Sequence, residues 1–301
     1  MENRRNILKL TLASIAGAFA MSGYVSANKK TPEDDKNGIR KLIDKPVANR
    51  RSLSKKTIAY FGDSLTEFGD IPERIALRTG ANVLKYGFGG CRMGAHIHIG
   101  YDSMSMYRIA HSINTNDYSR MESFADDLIR EFSDNNLPQI NKLKLTDWES
   151  VDYAIVAFGT NDYGGNRHIN NQIGKVTDFT PDGSTFCGSI NYIIQQLLDR
   201  NPRMRLVFIT PLWRLRTPSD YDGVNGGSDK TTNANGVFLV DFVDALIECC
   251  GRNHIEVWDG YRKSGINQYT AKEYLVDGVH PTKEGYELLA DKISAFMESS
   301  F

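Results

Sequence analysis

Three short segments of this 301-residue chain carry side chains whose types suit acyl transfer. Ser64 follows a β-branched and aromatic run in Phe61-Gly62-Asp63-Ser64-Leu65-Thr66, and Asn161 follows another in Gly159-Thr160-Asn161-Asp162. Asp277-Gly278-Val279-His280-Pro281 stands just before the last amphipathic stretch. Each alone has a plain structural use, since Gly-Asp-Ser makes a turn, Asn-Asp caps a helix, and a lone histidine is an ordinary surface or core residue. Together they fill the four roles that acyl transfer requires: a hydroxyl, a base to activate it, a carboxylate to orient the base, and donors for the oxyanion.

Side chains so far apart in sequence meet only if a fold brings them to one edge. From Thr57 onward, short apolar runs alternate with amphipathic stretches, the pattern of a parallel sheet covered by helices on both faces. Five strands are predicted, Thr57–Phe61, Val83–Phe88, Val151–Phe158, Arg205–Thr210 and Ile255–Trp258. Helices are expected over Ile71–Arg78, Ile190–Arg200, Val237–Cys250 and Lys283–Glu298, where apolar residues such as Ile190, Ile193, Ile194 and Leu197 recur at three and four. Ser64 and Asn161 then lie at the carboxyl ends of parallel strands, where open α/β sheets bind ligands. The long stretch Ala95–Leu145 and the polar, glycine-rich insertions Gly164–Cys187 and Arg214–Asn235 are expected to shape that site.

Gly62-Asp63-Ser64-Leu65, a glycine after the second strand, Gly159-x-Asn161-Asp162 and Asp277-x-x-His280 resemble, in order and spacing, the four blocks of the SGNH (GDSL) hydrolases. The resemblance runs from residue 57 to about 299. It implies a three-layer α/β/α, flavodoxin-like domain with five parallel strands in the order 2-1-3-4-5. It also implies a serine ester hydrolase in which Ser64 is the nucleophile, His280 the general base and Asp277 its orienter. The implied oxyanion donors are the Ser64 and Gly90 backbone N–H groups and the Asn161 amide. Gly89 is an alternative to Gly90, because Gly87-Phe88-Gly89-Gly90 offers several glycines and the chain lacks the asparagine that the family usually carries near Lys85. Physically, Asp277 sits three residues before His280 on one loop, within reach of Nδ1, which leaves Nε2 for Ser64. Asp63 adjoins the nucleophile but is expected to fix the turn.

Other chemistries find less support. No Gly-x-Ser-x-Gly elbow occurs, and the glycine spacings at Gly260 and Gly87 lack the residues of a nucleotide loop. His96 and His98 could share a strand face, but no carboxylate or third histidine completes a zinc set, so neither metal nor cofactor is expected. Tyr163, Trp213 and Arg214 follow strand ends and are expected to line the substrate pocket, the aromatic faces suiting a sugar ring.

Lys+Arg at 36 against Asp+Glu at 37 exclude a basic field for nucleic acid or an anionic membrane surface. The partner expected is a small or glycan ester. Residues 1–27 read as a signal peptide: Arg4 and Arg5 precede an apolar run from Leu10 to Met21, and Val25-Ser26-Ala27 offers small residues for cleavage. The run is short for the roughly 30 Å of a bilayer core, so no membrane insertion is expected after cleavage, and the mature protein is periplasmic or secreted. No cysteine precedes Cys91 to carry a lipid. Residues 28–56 are densely charged and read as a solvated tether before a hydrolase domain at 57–301. Cys91, Cys187, Cys249 and Cys250 lack zinc spacing and are expected as buried thiols.

The combined expectation is an exported esterase that removes a short acyl group, such as acetyl, from a carbohydrate. Rival readings are a lipase, lysophospholipase or thioesterase of the same family, an acyltransferase with the same nucleophile, and a non-catalytic glycan-binding module.

Overall fold

The computed structural model of the chain describes residues 53–132, 134–164, 172–216 and 226–301. The expected signal peptide and nearly all of the expected tether lie outside the described residues. Leu53 is buried against the sheet and Lys56 pairs with Asp152 at 2.7 Å, so the packed domain begins before Thr57.

Strand β1 (Thr57–Gly62) has almost no polar side chain because both its faces are covered. Ala59 and Phe61 point into one core, Ile58 and Tyr60 into the other, the two-residue period of a strand sorting them. It is flanked by β2 (Asn82–Gly87) and β3 (Tyr153–Ala157), and the sheet continues through β4 (Arg205–Ile209) to β5 (Glu256–Trp258). All pairings in this sheet are parallel, in the order 2-1-3-4-5. The register sets Gly62 opposite both Gly87 and Ala157, so the chain leaves three adjacent strands at one level.

One face carries α1 (Ile71–Thr79) and α2 (Lys283–Ser300), packed together over Ile58, Tyr60, Ile155, Val207 and Ile209. The other carries α3 (Met106–Thr115), α4 (Ser119–Phe132), α5 (Phe186–Arg200) and α6 (Leu239–Arg252) over Phe61, Tyr86, Val156 and Phe208. Helix starts follow local chemistry: Thr185 accepts the Gly188 N–H at the start of α5, and Thr282 accepts the Gly285 N–H at the start of α2.

The expected third strand is shorter than Val151–Phe158, because Val151 and Phe158 are buried but stand outside the ladder. Ala95–Leu145 is largely helical: besides α3 and α4 it holds short helices at Ile99–Ser103 and Leu137–Leu145. The apolar positions Met106, Ile109, Ala110 and Ile113 supply the buried stripe of α3. All four cysteines are buried and unbridged.

Candidate active site

Gly62 ends β1 in a space no side chain could share, since a Cβ there would lie 2.0 Å from Thr66 Oγ1. The chain then turns at Asp63 into the single helical turn Ser64–Glu67. Asp63 is buried, and its carboxylate caps that turn by accepting the Leu65 N–H at 3.0 Å. Burial pushes its pKa up to about 7, with the nearby Asp162 adding to the rise and the Leu65 N–H opposing it. Asp63 therefore shapes the turn on which Ser64 is displayed, the structural role that its position implied.

The loop before α2 is stitched to itself and to its surroundings: the Val276 N–H donates to His280 O, and the Leu215 N–H donates to Gly278 O. Gly278 takes φ 87°, a left-handed turn that brings Asp277 back over its own chain. Asp277 Oδ1 accepts the N–H groups of Val279 and His280 at 2.9 and 2.8 Å, while Oδ2 lies 2.7 Å from His280 Nδ1. Partial burial pushes this carboxyl up, but the hydrogen bonds from the His280 backbone and ring and from the Val279 N–H outweigh it and hold the pKa down to about 2. On the far side of the ring, His280 Nε2 is 2.9 Å from Ser64 Oγ. A neutral imidazole donating Nδ1–H to Asp277 keeps its Nε2 lone pair for the serine hydroxyl.

Of the two candidate glycines, Gly89 is occupied: its N–H donates to Glu67 Oε2 at 2.8 Å. Gly90 is exposed, takes φ 69°, and its N–H meets no acceptor among the described residues, which favours it as the donor. The Ser64 N–H likewise has no acceptor there. Asn161 spends one amide hydrogen on Cys91 O at 2.8 Å, which orients the side chain and leaves the other hydrogen available. Beside it, buried Asp162 accepts the Met93 and Gly94 N–H groups at 2.9 and 3.1 Å, tying the chain after Gly90 to the end of β3. In the sequence, Asp162 stands out only as part of the Gly159–Asp162 motif. An acidic residue next to an amide that must be held still was the available signal.

Tyr163, Trp213 and Arg214 do not line the pocket with open faces. The Tyr163 ring is 0% exposed, meets Phe242 edge-on, and its hydroxyl donates to Thr231 O at 3.0 Å. Trp213 is buried and donates Nε1–H to Asp229 at 2.7 Å. Arg214 is also buried, with its guanidinium on Thr160 Oγ1 at 3.3 Å and on Leu215 O at 3.1 Å. These three brace the loops behind the site. Apolar surface at a strand end turned inward because the loops supplied partners for its polar tips.

Residues not expected there take the exposed positions. Phe68, 71% exposed, sits with its ring 6.0 Å from that of His280. His98 is fully engaged, its Nδ1 accepting the Gly100 N–H and its Nε2 lying 2.9 Å from Glu131. His96 Nδ1 accepts the His98 N–H at 2.9 Å. Among the described residues no group of three or more His, Cys, Asp or Glu could hold a metal ion.

A doubly wound parallel sheet with a serine, an imidazole, a carboxylate and an amide gathered at its carboxyl edge is the architecture of the SGNH hydrolases. The model of the GDSL-like lipase/acylhydrolase family matches residues 60–288, and the chain belongs to that family. It is a hydrolase of the esterase or lipase kind. Among curated proteins no match was found. One similar crystal structure shares 25% identity over 83% of this chain and 99% of its own, with a TM-score of 0.59. A Lactobacillus plantarum protein matches at 21% identity over 82% and 99%, TM-score 0.57. A possible lipase from Chitinophaga pinensis matches at 19% identity over 81% and 98%, TM-score 0.50.

Proposed function

We propose that the protein is an exported serine esterase that removes a short acyl group, such as acetyl, from a carbohydrate through a Ser64 acyl-enzyme. The observation that carries the hydrolytic part of this reading is the unbroken line from Asp277 Oδ2 through His280 to Ser64 Oγ, at 2.7 and 2.9 Å. Ser64 Oγ attacks the ester carbonyl carbon while His280 Nε2 takes its proton, and Asp277 stabilises the imidazolium formed. The carbonyl oxygen becomes an oxyanion, met by the Gly90 and Ser64 N–H groups and the second Asn161 amide hydrogen. The C–O bond to the alcohol then breaks, and His280 returns the proton to the departing oxygen. Water repeats the sequence on the acyl-enzyme, releasing the acid and restoring the Ser64 hydroxyl.

Export rests on the charged start, apolar run and small-residue site of residues 1–27. No helix among the described residues is long and apolar enough to cross a membrane. A near-neutral charge balance suits a neutral glycan ester better than an anionic one. The test is hydrolysis of acetylated sugars and of p-nitrophenyl esters of increasing chain length. The proposal expects turnover to be best with acetyl and to fall as the chain lengthens. A preference for long acyl chains would make the enzyme a lipase. Mass analysis of the exported protein should find the mature chain beginning at Asn28.

A further inference from the structure

We infer that Phe68 and Tyr101, with His96, form a subsite that holds the sugar ring of the substrate beside the oxyanion turn, an inference that rests on the assignment of Ser64 as nucleophile. The two rings flank the Gly89–Gly90 turn. Phe68 Cζ lies 3.8 Å from where a Cβ on Gly89 would stand, and Tyr101 Cε1 lies 3.0 Å from the corresponding point on Gly90. Phe68 also reaches the imidazole of His280, so one exposed ring spans the base and the turn that carries the proposed oxyanion donor. A side chain this exposed, one turn after the serine, contributes little to the core and leaves its ring surface open to a ligand.

Polar chemistry completes the subsite. The His96 and Tyr101 rings are 5.2 Å apart. His96 is half-buried, and burial together with the neighbouring Arg92 pushes its pKa down to about 3, so the ring is neutral at working pH. Its Nδ1 accepts the His98 N–H, which fixes the remaining proton on Nε2 as a donor. The stretch that carries these rings is anchored: buried Asp102 accepts the His96 N–H at 3.2 Å and the Tyr107 hydroxyl at 2.9 Å, and pairs with Arg120 at 2.9 Å. Aromatic surface at exposed Phe68 and at half-buried Tyr101, whose ring also meets His98 and Phe132, with a neutral donor beside Tyr101, suits a pyranose, whose C–H faces are apolar and whose rim is hydroxylated.

The test compares two esters that share the acyl group and the bond broken, an acetylated methyl hexopyranoside and ethyl acetate, on wild type, Phe68→Ala, Tyr101→Leu and His96→Asn. Folding is checked by melting temperature, and Phe68, being exposed, keeps the test valid should a Tyr101 variant fold poorly. The ratio of kcat/KM for the sugar ester over ethyl acetate should fall about five- to tenfold in Phe68→Ala and Tyr101→Leu, the range of a lost aromatic contact. His96→Asn should raise KM for the sugar ester more than it lowers kcat. An unchanged ratio, with Ser64 still labelled by a fluorophosphonate, would overturn the subsite alone. A loss that grows with acyl chain length across p-nitrophenyl esters would make these rings an acyl wall and overturn it too. A wild-type protein that takes neither the label nor any ester would overturn the hydrolytic assignment and the subsite with it.

Discussion

The Glu67 carboxylate accepts the Gly89 N–H at 2.8 Å, fastening the turn after β2 to the short helix that begins at Ser64. The proposed nucleophile and the turn that carries the proposed oxyanion donor are thus joined through that hydrogen bond, with Gly90 next along the chain. Replacing Gly90 by alanine forces a Cβ into a left-handed turn and to 3.0 Å from the Tyr101 ring, displacing the N–H. The expected loss is roughly 10²–10³ in kcat, the size seen when one oxyanion donor is removed. Steady-state kinetics beside a melting curve checks it, and an unchanged kcat would move the donor elsewhere.

Asn161 holds Cys91 O with one amide hydrogen and has one left for developing charge. Asn161→Ala should therefore cost roughly 10²–10³ in kcat with a much smaller change in KM. An effect confined to KM would assign the amide to binding of the ground state.

The buried Asp63 offers a stability prediction. Its folded pKa, about 7, is above the ordinary 3.8, so its contribution to stability is full below 3.8 and is lost as pH rises through about 7. Asp63→Asn keeps an acceptor for the Leu65 N–H and removes the buried charge. Relative to wild type, the variant should gain stability between pH 5 and pH 8 in urea unfolding. A constant difference across that range would contradict the account.

Asp277 has the opposite sign. Held at about 2, its carboxyl is ionised through the range where an imidazole titrates, and its own stabilising contribution disappears only as pH falls through about 2. Asp277 should therefore add no inflection of its own to the kcat/KM profile at or near neutral pH. Asp277→Asn presents an amide N–H to Nδ1, favours the tautomer whose Nε2 cannot accept, and should lower the rate by roughly 10²–10⁴. A variant with wild-type rate would leave only a Ser64–His280 dyad.

How far the sequence disclosed this arrangement varies from residue to residue. The five strands were legible because each is a short apolar run closed by glycine or polar residues, and their ends place Ser64 and Asn161 at one edge. The Asp277–His280 contact was legible through the family resemblance, and three residues on one loop is a reach that permits it. The aromatic positions were not. Tyr163 and Phe68 each follow a motif residue closely, yet Tyr163 is sealed against Phe242 and Phe68 is open, a difference set by distant elements with no local signal. The choice between Gly89 and Gly90 turned on Glu67, a charged residue whose use becomes visible only when the turn is seen beside it.

The central claim is that His280 activates Ser64, and the most direct measurement is covalent labelling by a fluorophosphonate, read by intact mass on wild type, Ser64→Ala and His280→Ala. The account predicts one equivalent on wild type, located at Ser64 by peptide mapping, none on Ser64→Ala, and labelling of His280→Ala slowed by orders of magnitude while its fold persists. Equal labelling of wild type and Ser64→Ala, or a wild-type protein that takes no label at all, would contradict it.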